Sequence, residues 1–207
     1  MKFLETREEL VKLAASLFNR GYSVGSAGNI SVRVADGYLM TPTNSSLGRL
    51  NAGRLSFLDS EWNHISGDAP SKEVVMHRAM YQARPGIGAV VHLHSTHVTA
   101  LSCLAPSEEP LFQPHTPYLV MRLGEYIPLV PYYKPGDPNM ESDIFEAAMD
   151  AKAIILGNHG SIVAGPTLVH AVDSAEELEV SAKIALLLRG RDTRPLTSAE
   201  VRALMNS

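Results

Sequence analysis

Apolar residues near the start of the chain recur at helical spacing. Leu10, Leu13, Leu17 and Phe18 fall on one side of a helix, Thr6 and Glu9 have the T-x-x-E spacing of a capping box, and Gly21 supplies a stop. The period then shortens to two. In "NISVRVADGYLMTPT" (29–43), Ile30, Val32 and Val34 alternate with polar residues and Asp36-Gly37 offers a turn, which predicts a hairpin. "RLSFLD" and "EWNHISG" predict two more short strands. Pro70 and Ser71 open a helix that runs through "EVVMHRAMYQAR" and stops before Pro85-Gly86. In "GIGAVVHLHS" (86–95), the two glycines and Val90-Val91 favour a strand. The segment 102–140 is rich in proline, and only a strand near "YIPLVPY" stands out. A helix over about 141–150 leads into "AKAIILGNHGSIVAG", a strand, a tight loop and a strand. A long helix from Leu168 to Arg189 follows, then a short one from Thr197 to Met205 behind a second capping box, Thr197 and Glu200. Strands in the middle and helices at the flanks predict one mixed α/β domain over residues 1–207.

Composition narrows the class. With 45% hydrophobic and 19% charged residues, the chain has the make-up of a globular protein rather than a disordered one. A net charge of −4, a pI near 6.1 and the lack of any basic run argue against nucleic acid as a partner. Charges interrupt the N-terminal segment every few residues, so no secretory signal is expected there, and no apolar run approaches membrane-spanning length. The one cysteine, Cys103, cannot form an internal disulfide. These features together predict a cytoplasmic protein.

The candidate chemistry lies in "VVHLHSTH" (90–97). Alternation along a strand puts His92 and His94 on one face and Val91 and Leu93 on the other, whereas a helix would pair His94 with His97. The strand reading favours the first pair. Alone, H-x-H suits two satisfied polar residues as well as two ligands of one ion. A catalytic metal commonly takes three protein ligands and keeps one position open. His159, in "GNHG" at a strand end, is the best third candidate, and His64, His77, His115 and His170 lack that setting. Three imidazoles suit zinc, but also copper, iron or nickel. Glu73 and His77, four apart on one helix, make a conceivable ligand pair, although a hydrogen-bonded structural role fits His77 better.

"SAGNISVR", "MTPTNSS", "GDAPSKE", "VVHLHSTH" and "ILGNHG" stand in the order and spacing of the class II aldolase/adducin family, which the chain resembles over roughly residues 5–190. Within it the likeness is to the branch of 3-oxo-tetronate 4-phosphate decarboxylases, with fuculose-phosphate aldolase and ribulose-phosphate 4-epimerase as more distant relatives. The resemblance implies a class II aldolase-like fold, with a central, mainly antiparallel sheet flanked by helices. It implies Zn2+ on His92, His94 and His159, and Glu73 as acid/base. It implies a phosphate site from Gly28, Asn29, Thr43, Asn44 and Ser71, helped by free N–H groups at the helix start near Ser71. The same loop residues also suit ordinary turns. Lys72 departs from the aldolases, which commonly have a small hydroxyl residue there; it suits a substrate phosphate or carboxylate and equally a solvent-facing position. A homotetramer with active sites at subunit contacts is implied, with Tyr118 as the nearest match to a tyrosine lent by the neighbouring subunit.

The implied reaction is decarboxylation of a small sugar-acid phosphate to dihydroxyacetone phosphate and CO2, in sugar-acid catabolism. It would pass through a metal-stabilised enediolate, with Glu73 exchanging the proton. The alternatives are a sugar-phosphate aldolase or pentulose-phosphate 4-epimerase, and a non-catalytic module like the adducin head. The presence of Glu73 and all three histidines speaks against the last.

Overall fold

Antiparallel pairing builds the centre of the molecule, a computed structural model that describes residues 1–105, 110–134 and 136–205. Eight strands form one sheet: β1 (Asn29–Val34), β2 (Gly37–Met40), β3 (Ser56–Asp59), β4 (His64–Ser66), β5 (Ala89–Leu93), β6 (Leu129–Val130), β7 (Ala153–Leu156) and β8 (Gly160–Gly165). Their order is β4-β3-β2-β1-β5-β8-β7-β6, and among the described residues only β6 and β7 run parallel. The described helices are α1 (Leu4–Asn19), α2 (Val74–Ala83), α3 (Thr96–Ser102), α4 (Pro117–Leu123), α5 (Met140–Asp150), α6 (Leu168–Leu188) and α7 (Ser198–Met205). The architecture is the expected mainly antiparallel sheet flanked by helices.

Side-chain alternation divides the apolar residues of the sheet between two cores. Ile30 and Val32 of β1, Val91 and Leu93 of β5, and Val163 of β8 join Leu10 and Leu17 of α1 and Leu178 of α6. On the opposite face, Val90, Ile154 and Ile162 pack against Met76 and Met80 of α2 and Ile144 of α5. The register places Asn29 opposite His92 and Ser31 opposite Val90. All four therefore share the α2 face, where the pattern of the strands leaves room for polar chemistry.

Several boundaries differ from expectation. The helix α1 begins at Leu4 behind Phe3, so Thr6 and Glu9 lie inside it and form no capping box. The cause is tertiary: the buried Arg7 donates to the carbonyls of Lys2, Ala52 and Leu55, anchoring the first turn to the segment before β3. The other end is as expected. Gly21, at φ 81°, donates to the Phe18 carbonyl and Tyr22 to that of Leu17, a Schellman closure. The hairpin loop is Ala35-Asp36, with Val34 opposite Gly37, one residue earlier than the Asp36-Gly37 reading. α2 starts at Val74, not at Pro70-Ser71, and β5 is shorter than 86–95. The local pattern announces neither α3 nor α4. The capping box before α7 does form: the Glu200 carboxylate accepts from Thr197 N–H at 2.7 Å and Glu200 N–H donates to Thr197 Oγ at 3.3 Å.

Candidate metal and acid/base site

Three separate pieces of chain deliver the site. His92 points from β5 towards the α2 face, and His94 follows one step beyond the strand end. His159 sits in the loop between β7 and β8, after Asn158 in the left-handed region at φ 52°. Glu73 occupies the N-cap position of α2. One ligand atom from each of Glu73, His92, His94 and His159 lies within 4.8 Å of all the others. The rings of His92, His94 and His159 meet edge-on, with centroids 4.5–4.9 Å apart. His92 is fully buried, and His159 is only 8% exposed.

Hydrogen bonding decides which nitrogens face inward. His92 Nδ1 lies 2.8 Å from the Ser161 carbonyl oxygen, which can only accept. Nδ1 therefore carries the hydrogen, and the neutral ring presents a lone pair at Nε2. That Nε2 lies 2.8 Å from His94 Nε2 and 3.4 Å from Glu73 Oε2. His159 Nε2 is 3.3 Å from Glu73 Oε1, yet it is buried and makes no hydrogen bond of good geometry. Two ring nitrogens facing each other at 2.8 Å repel unless a proton or a cation lies between them. Burial pushes His92 down to about 3 and lowers His94 as well, so these two imidazoles stay neutral and keep their lone pairs available. Burial alone would raise the carboxyl of Glu73, yet it is held below its usual range, and beside neutral imidazoles the Asn29 amide that donates to it is the group that favours the anion. An ionised carboxylate and three converging imidazoles, one with an orphaned nitrogen, fit a divalent cation.

A buried relay holds Glu73 from behind. Asn29 Nδ2 donates to Glu73 Oε2 at 2.7 Å, which leaves Asn29 Oδ1 to accept from His77 Nε2 at 2.6 Å. The Ser31 hydroxyl then donates to His77 Nδ1 at 2.7 Å. His77 is fully buried and lies outside the converging group, in the hydrogen-bonded role that its sequence setting favours. Burial pushes it down to about 4, against the raising influence of Glu73. Nothing in the sequence marks Ser161 as the partner of His92, because a backbone acceptor leaves no residue signature.

Of the remaining candidates, Gly28 adjoins His92, and Ser71 adjoins Glu73. Gly28 takes φ 80°, and a Cβ there would stand 2.9 Å from the His92 carbonyl oxygen. Thr43 N–H donates to the Ala69 carbonyl at 2.9 Å and Pro42 bridges to Pro70, which docks the Thr43-Asn44 loop against the segment leading to Ser71. Asn44 is exposed at φ 55°. Ser71 Oγ accepts from Glu73 N–H at 3.2 Å, and Val74 N–H donates to the Ser71 carbonyl. The helix start thus presents fewer free N–H groups than expected, because Ser71 engages two of them. Lys72 is exposed. Tyr118, on α4, is 62% exposed. His97 stays out of the cluster, as do His64, His115 and His170. A cavity of about 300 Å³ lined by Leu111, His115 and Arg189 includes none of the four clustered residues.

Residues 8–186 match the Class II Aldolase and Adducin N-terminal domain. The chain is 49% identical over 208 residues to a Haemophilus influenzae protein named 3-oxo-tetronate 4-phosphate decarboxylase, covering all of this chain and 99% of that one. It is 34% identical over 203 residues to the L-fuculose phosphate aldolase of the same organism, covering 97% and 91%. Its fold is similar to the crystal structure of YgbL, a putative aldolase/epimerase/decarboxylase from Escherichia coli, with a TM-score of 0.92, 47% identity and coverage of 97% and 98%.

Proposed function

The chain belongs to the class II aldolase/adducin family, and on that footing we propose that it is a metal-dependent carbon–carbon lyase that decarboxylates a 3-oxo-tetronate 4-phosphate. The full-length 49% identity to a relative named for that reaction carries the reading. The convergence of Glu73, His92, His94 and His159 supports a metal in it. We assign the three histidines as ligands and Zn2+ as the ion, since closely spaced imidazoles suit it. When bound, the ion supplies a Lewis acid for the negative charge that develops at the substrate's keto oxygen.

The chain's own residues do the rest. The Ser161 carbonyl fixes the tautomer and direction of His92. Loss of CO2 from a 3-keto acid leaves an electron pair on carbon 2, and that carbon must gain a proton to become dihydroxyacetone phosphate. Glu73 is the proton carrier. It is ionised at neutral pH, so it first takes a proton from a substrate hydroxyl or from solvent and then delivers it. Asn29, gripping the carboxylate on one side and His77 on the other, keeps it aimed. One amide hydrogen of Asn29 remains for substrate. Gly28, Thr43, Asn44 and Ser71 form the proposed phosphate cradle, and Lys72 balances the charge of the phosphate or carboxylate.

We further propose a homotetramer acting in the cytoplasm. Exposed Tyr118, Met121, Tyr126, Leu129 and Tyr132, close together in sequence, support an interface between copies. Among the described residues no helix is long and apolar enough to cross a membrane.

The test is a product assay. Zinc-loaded protein given a 3-oxo-tetronate 4-phosphate releases CO2 and triose phosphate, and Glu73→Gln loses about 100-fold or more of that rate while still binding metal. Absence of both products from the metal-loaded wild type rejects the reading. The 34% identity to an aldolase sustains one alternative, and an aldehyde released from a longer ketose phosphate would favour it.

A further inference from the structure

The three proposed metal ligands come from places 65 residues apart in the chain, and one short helix touches both. α3 begins two residues after His94. Its far end binds the backbone around His159. Ser102 Oγ accepts from His159 N–H at 3.3 Å, the Ser102 carbonyl accepts from Asn158 N–H at 3.1 Å, and Thr99 Oγ donates to the His159 carbonyl at 3.3 Å. Ser102 is itself buried and fixed, since its hydroxyl donates to the Thr99 carbonyl at 2.8 Å. His94 and His159 are therefore joined by a rigid seven-residue spacer as well as by the pairing of β5 with β8.

The near end of the spacer is held from outside. Ser95, at the N-cap position, makes no side-chain capping bond. Glu179 of α6 takes over that task. Its Oε1 accepts from the backbone N–H of His97 at 2.9 Å and from His97 Nδ1 at 2.7 Å, and its Oε2 accepts from Val98 N–H at 3.0 Å. The Glu179 side chain is only 12% exposed. A carboxylate spread over two N–H groups and an imidazole cannot slide without breaking several bonds at once. Short helices are marginal alone, so this cap is what keeps α3 wound and at fixed height.

We propose that Glu179 is a positioning residue for the metal site. It acts through α3, which sets the distance between His94 and His159, and it touches neither the ion nor the substrate. His97 is the second half of the clamp, which accounts for a histidine three residues after His94 that lies outside the ligand group. The proposal rests on the reading of His92, His94 and His159 as metal ligands.

The test uses the full chain and Zn2+ alone. Metal-free wild type, Glu179→Gln, Ser102→Ala and Glu200→Ala are titrated with zinc against a chromophoric chelator, and amide exchange is followed at residues 157–161. Glutamine keeps the size of Glu179 but turns an N–H donor towards the backbone donors of α3. Glu179→Gln and Ser102→Ala each weaken zinc binding by about 10-fold or more, in the range seen when groups that orient metal ligands are removed. In the metal-free state both speed exchange at Asn158 and His159. Glu200→Ala, which breaks a remote cap of α7, changes neither reading. Should Glu179→Gln prove too unstable to purify, Ser102→Ala decides alone. Zinc affinity and exchange equal to wild type in folded Glu179→Gln or Ser102→Ala overturn the proposal. Failure of the wild type to bind zinc while exchange still responds to both substitutions rejects the metal reading and leaves α3 as a brace for the loop only, which also overturns the proposal as stated.

Discussion

His77 ties the stability of the metal-free protein to pH. It is fully buried between Asn29 and Ser31, and burial holds it near 4 rather than its ordinary 6.5. In the unfolded chain it takes a proton near the ordinary value. Between these two limits the unfolded state binds the extra proton and the native state does not, so stability falls as pH falls. The contribution is fully present above about 6.5 and is lost progressively as pH drops towards 4. The linkage relation gives a loss of about 2 kcal/mol by about pH 5, and on the order of 3 kcal/mol once both states are protonated. His92 changes stability in the same direction, so the wild-type profile alone is not diagnostic. The perturbation is therefore His77→Gln, which keeps a donor for Asn29 Oδ1 and an acceptor for the Ser31 hydroxyl without a proton to gain. Urea unfolding of metal-free wild type and variant, at several pH values from about 7.5 to 4.5, yields two curves. The variant's curve should lack about 2 kcal/mol of the wild type's decline by about pH 5. Curves that stay parallel across the range refute the account of His77 as a neutral, buried member of the relay.

Other outcomes follow from the same structure. His159→Ala abolishes tight zinc uptake by the purified protein in metal analysis, whereas His97→Ala keeps an ion bound with weakened affinity; the reverse pattern refutes the division of the histidines. Gly28→Ala destabilises by about 1–3 kcal/mol in thermal unfolding, because alanine must enter the left-handed region and its Cβ presses on the His92 carbonyl. Leu178→Ala empties a fully buried site in the core between α6 and the sheet, at a cost of about 2–5 kcal/mol measured by urea unfolding. A cost under about 1 kcal/mol would show that α6 can settle into the space.

Much of this was readable from local pattern. Two-residue alternation located the strands, and parity put His92 on the face away from Val91 and Leu93, towards the core that Val90 shares with α2. The glycines around His159 marked the loop that presents it. Where the reading slipped, the cause was usually a partner remote in sequence. α1 starts at Leu4 because Arg7 reaches carbonyls near residue 55, so a locally correct capping box was overruled. α3 went unseen because its cap is Glu179, 82 residues after His97, and nothing beside Thr96 announces it. α2 begins late because Ser71 turns the chain before the helical pattern takes hold. His92, His94 and His159 stood out as residue types at suitable spacings, the role of Glu73 came only with the family resemblance, and the relay from Ser31 to Glu73 is visible only once β1 lies beside α2.

The pairing of β5 with β8 gives the metal site a further use. His92 lies opposite Ile162, and its ring nitrogen reaches the carbonyl of the next residue back, Ser161. A slip of one residue between these strands would turn His92 to the other side of the sheet and carry His159 out of range. On the proposed assignment of zinc to these histidines, tight zinc uptake gauges register. In a refolding reaction, the fraction of chains able to capture the ion counts those whose two central strands have aligned correctly, even where circular dichroism would score misaligned sheets as native.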